Sequence, residues 1–228
     1  MNLSSNRLMA AAGLCAAAAG AIFIGVQINH PPEDVEHVLN GSISLRQTAK
    51  AVMAVLALGG FAGMFARNHR RFGVLGLVGY VLVSVGYFAM FAVQCIVGYV
   101  LPTVARTSPG YVQDFIDGAL GNAPAGDLGH VNSLFLVAGV GFAIGGLLFG
   151  IALFRAGILS RWASALFAYG SVSALALAAL PQSFNRPFAI PTGVALIGLG
   201  VSLYRDQRNV TETVEVPAQV LVAATSDR

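Results

Sequence analysis

The chain has 228 residues; 56% are apolar before its 27 glycines are counted, only 10% are charged, and the formal net charge is +3 with a mean hydropathy of +0.74. A soluble domain carries about 25% charged residues and could not hide this much apolar surface. A water-soluble globule, a disordered chain and a disulfide scaffold are therefore excluded, and an all-α, multi-pass membrane bundle remains.

The first apolar segment runs from Leu8 to Ile28 behind Arg7. Small residues from Ala16 to Ala21 mimic a signal-peptide cleavage site, but the apolar run continues through Ile22, Phe23, Ile24 and Val26. About 20 residues suffice to span a bilayer and exceed a usual signal core, so the segment reads as a retained first span. Cys15 follows Leu14 rather than a small residue, which argues against a lipoprotein. Cys15 and Cys95 both lie in apolar runs and read as small buried hydrophobes.

Residues 29–47 form an external loop in which Pro31-Pro32-Glu33-Asp34 has the composition of a helix start. The second span covers 48–66 and carries Gly59 and Gly63, spaced for close helix packing. The basic turn Arg67–Arg71 follows, then a long third span, 72–101, which must tilt, bend or leave the bilayer. On that span Tyr80, Ser84, Tyr87, Phe91 and Gln94 step along one helical face. A buried amide such as Gln94 needs partners. The face therefore either lines a cavity for a lipid, quinone or other amphiphile, or bonds to Tyr169, Ser171 or Ser173 of the fifth span.

A second external loop covers 102–129. Within it Val112, Phe115, Ile116 and Ala119 share a face of a helix starting after Ser108-Pro109-Gly110. That helix either lies on the membrane or is an ordinary capped loop helix. The fourth span, 133–154, concentrates Gly141, Gly145, Gly146 and Gly150, which makes it a central packing helix. Its run from Gly139 to Gly145 evokes a nucleotide fingerprint, but it lies within a span and lacks the full pattern. The fifth span covers 162–180, a polar turn with Arg186 follows, and the sixth covers 188–204. Residues 1–206 thus form the membrane domain and 207–228 a cytoplasmic tail.

Orientation follows from the cations. With the N-terminus in the cytoplasm, Arg7, Arg67, Arg70, Arg71, Arg155, Arg161, Arg205, Arg208 and Arg228 face inward. Only Arg46, Lys50, Arg106 and Arg186 face outward. The positive-inside rule then puts both termini of a six-span bundle in the cytoplasm. No charge lies at the centre of any span, which disfavours ion-coupled transport. His30, His37 and His130 fall near the external surface and are the only candidates for an external metal site, without a defining ligand spacing. All four histidines lie at span ends, which disfavours haem. The scattered basic residues leave no footprint for nucleic acid.

The stretch Leu147–Arg155 and the following Gly157-Ile158-Leu159-Ser160-Arg161-Trp162-Ala163 resemble a group of uncharacterised actinobacterial six-helix integral membrane proteins. The resemblance implies a bacterial plasma membrane and no reaction. The leading expectation is an accessory or scaffold subunit, held by Gly-rich faces and external loops to a membrane-protein partner or a second copy. The alternative is a lipid-, quinone- or small-amphiphile-binding or transport protein with its cavity along the third span. A third reading is a membrane-embedded enzyme using His37, His130 and nearby acids, although no catalytic set is evident.

Overall fold

A computed structural model describes residues 3–177 and 189–208. The turn carrying Arg186, the ends of the fifth and sixth apolar segments that flank it, and the tail beyond Arg208 lie outside the described residues. Among the described residues every regular element is helical. In chain order these are α1 (Leu3–Gly25), α2 (Val35–Leu39), α3 (Ser44–Cys95), α4 (Leu101–Val104), α5 (Pro109–Ala119), α6 (Val131–Val140), α7 (Gly146–Ala156) and α8 (Arg161–Leu177), followed by α9 (189–208). π-Helical turns at Ile96–Val100 and Gly141–Gly145 join α3 to α4 and α6 to α7. Three continuous helical runs, Ser5–Gly25, Ser44–Val104 and Val131–Ala156, are long and apolar enough to cross a membrane. Helix is the outcome expected of uninterrupted apolar sequence, because it satisfies its own backbone groups without water.

The longest run doubles back on itself. Gly73 adopts φ 56°, ψ −159°, a conformation reserved essentially for glycine. Around it the two arms of α3 pair antiparallel. The Phe65 and Tyr80 rings stack at 4.5 Å, Phe61 meets Tyr87 edge-on at 4.9 Å, and the Thr48 and Tyr99 hydroxyls are 2.8 Å apart. The basic stretch Arg67–Arg71, expected as a turn, is helical. None of its residues breaks a helix, and the reversal falls at the first glycine beyond it.

Glycines set how closely the helices approach. Gly13 of α1 lies against the backbone of Gly200 in α9, and two turns on Gly20 lies against Gly193. Gly86 on the second arm of α3 abuts Gly141, and Gly79 abuts the backbone at Phe149. Gly145 packs on Val83, while Gly146 and Gly150 face Ser171 and Ala168 of α8. The α6–α7 run thus carries small residues on two sides, one for α3 and one for α8. Gly63 sits against Ala12, and Gly59 looks toward Cys15 with ordinary spacing. The rings of Phe61, Tyr87, Phe149 and Phe167 fill the centre. Outside, Leu14, Val55, Leu77, Val81, Phe88, Leu136 and Val140 among others remain exposed, an apolar girdle suited to lipid rather than water.

A second apolar core caps one end. Val112, Phe115 and Ile116 of α5 turn inward against Val38, Ile43, Val93, Val97, Leu101 and Leu128. The amphipathic face of α5 therefore docks on the protein itself. Arg46 ties the cap to α1, its guanidinium donating to the carbonyls of Val26, Ile28 and Asn29 at 3.1, 2.8 and 2.7 Å. At the opposite end, Arg67 makes a two-point bond to Asp206 (2.5 and 3.1 Å), and Arg71 donates to the Ala156 carbonyl (3.1 Å). There Gly157 closes α7 in the left-handed conformation.

Candidate functional site

The seam between the two cores is incompletely filled. A chamber of about 460 Å³ lies there, bounded by the end of α1, both arms of α3, the α2 loop, α5, α6 and the adjoining faces of α8 and α9. Its apolar wall includes Phe23, Met53, Met90, Phe115, Phe135 and Phe142. Phe135, Ala138 and Gly139 of α6 and Phe142 of the π-helical turn after it line the chamber at helical spacing, while Leu136, Val137 and Val140 are outside the lining and exposed. Both π-helical turns border the chamber, through Val97 and through Phe142 and Ala143. An inserted residue widens a helix locally and re-aims its side chains, and such turns are frequent at functional sites.

The polar wall has two parts. One is an ion pair at the α2 loop: Lys50 Nζ lies 3.3 Å from Glu33 Oε1. Behind it, outside the lining, His30 Nε2 lies 3.6 Å from the same oxygen. His30 Nδ1 also donates to the Pro31 carbonyl at 2.7 Å. The other is a set of neutral amides, Gln27, Gln47 and Gln94. Gln47 is only 3% exposed, and its Oε1 has no hydrogen-bond partner. A buried polar atom left unpaired costs about 1–3 kcal/mol. Gly98, in the first π-helical turn, lets Gln47 approach closely; a Cβ there would stand 3.2 Å from Gln47 Cβ.

The face read on the third span divides. Gln94 lines the chamber. Tyr80 stacks on Phe65 and leans on Phe149, so it belongs to the aromatic centre. Tyr87 is fully buried against Phe61 and Phe142, and its hydroxyl, like the Ser84 hydroxyl, has no partner among the described residues. Phe91 pairs with the exposed Phe88. The stretch from Tyr80 to Tyr87 is thus occupied by rings, and the open volume lies toward the capped end. The alternative partners of Gln94 are engaged elsewhere or turned away. Ser171 and Ser173 donate to the Phe167 and Gly170 carbonyls of their own helix, and Tyr169 is exposed.

The external histidines are not brought together. His37 is held by Asp34, which caps α2: Asp34 Oδ1 accepts from the His37 backbone N–H at 2.9 Å and lies 2.7 Å from its Nδ1. These bonds, the backbone one foremost, hold the Asp34 carboxyl below its ordinary range. His130 precedes α6 and is exposed. Among the described residues no group of three or more His, Cys, Asp or Glu side chains is placed to hold a metal ion.

Sequence reasoning missed Gln47, Gln27 and the Lys50–Glu33 pair. Gln47 stands one residue before the second apolar segment, where a polar residue is ordinary. Its significance arises only when the cap closes over it. The glycine pairs Gly13/Gly20, Gly79/Gly86 and Gly193/Gly200 did carry a signal, a common two-turn repeat. No protein-family model, no curated protein and no solved structure matches this chain.

Proposed function

We propose that this chain is a six-span integral protein of a bacterial plasma membrane, both termini cytoplasmic, that binds a small amphiphile in the chamber beneath an external cap. The reversal at Gly73 supports two crossings within the longest helical run, and α8 and α9 supply two more. The arginine-bearing ends of the helices, with the Arg67–Asp206 and Arg71–Ala156 bonds, form the end opposite the cap, which supports a cytoplasmic assignment for that end. The bacterial plasma membrane is what the sequence resemblance implies.

The observation that carries the binding reading is the chamber itself. Its volume of about 460 Å³ falls within the range of small-molecule sites. Its walls combine aromatic and methionine side chains with a few polar groups, the composition that orients an amphiphile.

Purification in mild detergent, followed by native mass spectrometry, tests this. One amphiphile per chain should survive a delipidating wash. Gly139→Leu should reduce its retention several-fold, because Gly139 lines the chamber and a Cβ there meets nothing among the described residues. A stoichiometric protein partner with no retained amphiphile would support the accessory-subunit reading instead.

A further inference from the structure

We infer that the chamber selects an amphiphile with an uncharged, oxygen-bearing head, a carbonyl or hydroxyl group, recognised by the amides of Gln47 and Gln94. This rests on the binding reading above and names its ligand class.

The charge of the lining decides against an ionic head. Glu33 and Lys50 are the charged side chains in the wall, and they neutralise one another at 3.3 Å. A phosphate brought to Lys50 would also be brought to Glu33, and an ammonium brought to Glu33 would meet Lys50. Either would have to break the existing pair inside a partly desolvated space, where an uncompensated charge is costly. The amides have the opposite property. Gln27, Gln47 and Gln94 line the open volume, and the almost wholly buried Gln47 leaves its Oε1 without a hydrogen-bond partner among the described residues. A primary amide offers two donors and an acceptor oxygen without net charge. An acylglycerol hydroxyl or ester, or a quinone carbonyl, matches that chemistry. The apolar body then lies along Phe23, Met53, Met90 and Phe142.

The test uses the full-length protein, delipidated in detergent. It is offered dioctanoylglycerol, a naphthoquinone with one prenyl unit or dioctanoylphosphatidylglycerol, singly and in competition, with retention read by native mass spectrometry. One of the two neutral amphiphiles should be retained at least about tenfold better than the anionic lipid, and which one identifies the source. Gln47→Leu and Gln94→Leu should each lower that retention by roughly tenfold. Gln47→Glu, which keeps size but adds charge, should lower it at least as far. Thermal unfolding of each variant verifies that it is folded; a Gln47→Leu protein that does not fold leaves Gln94→Leu and Gln47→Glu to decide. Equal or better retention of phosphatidylglycerol, or unchanged retention in folded amide variants, overturns the inference while leaving an amphiphile-binding protein. No retention of any of the three by the wild type overturns the inference together with the reading beneath it.

Discussion

At the residue scale, single backbone positions carry more than their chemistry suggests. Gly73 permits the one conformation that reverses α3, so a Cβ there is strained whatever space surrounds it. Gly73→Ala should destabilise the protein by about 1–3 kcal/mol, read as a lowered unfolding midpoint in detergent. A wild-type midpoint would show that the reversal does not depend on glycine. Asp34 offers a pH-dependent counterpart. Its carboxyl is held below its ordinary value by the His37 backbone N–H it accepts from. A depressed carboxyl stabilises the folded state at pH above its unfolded value, near 3.9. That contribution is lost as pH falls through the lower folded value. Protection of the Val35–Leu39 amides, taken relative to their intrinsic exchange rates at each pH, should therefore fall on acidification below about pH 4, and in Asp34→Ala it should be low at neutral pH as well. Pro31 and Pro32, read in the sequence as part of a helix start, precede the cap residue, which fits a proline's fixed φ outside the first turn.

At the element scale, the helices are held by backbone approach rather than by bulky side chains. Lipid gives little hydrophobic reward for pairing helices, so contact area must come from closeness. Gly13 and Gly20 of α1 interlock with Gly200 and Gly193 of α9, and Gly86 with Gly141 across α3 and the second π-helical turn. Gly200→Leu should clash with α1 and cost about 1–3 kcal/mol or more, as overpacking does. Gly59→Ala should be close to neutral, since its new methyl would meet Cys15 at 3.8–3.9 Å. Parallel thermal melts of the two variants in one detergent check the contrast; equal losses would refute it. The glycine cluster of the fourth apolar segment was legible from spacing alone, because small residues four apart must share a helical face. Which neighbour each face meets was not, because Gly141 and Gly145 find α3 while Gly146 and Gly150 find α8 only after the bundle has assembled.

At the scale of the whole molecule, the two ends of the bundle differ: an arginine-bearing base, then an apolar girdle, then a capped chamber. Single cysteines at Arg70 and at Gly121, placed in a background lacking Cys15 and Cys95, should label from opposite sides of the membrane with a membrane-impermeant maleimide. Labelling of both from one side would overturn the proposed six-span arrangement. Hydropathy and charge are properties of short windows, so the sequence by itself determined that the chain is helical, that several segments are long enough to cross a bilayer, and which ends carry the cations. The chamber had no such local signature. Gln47 and Gln94 lie on opposite arms of the Gly73 reversal, and both border the same space only because that hairpin, the π-helical turns and the α5 cap bring distant residues together. Whether a buried amide finds a partner depends on every helix packed around it, and that sum is taken only in the tertiary structure.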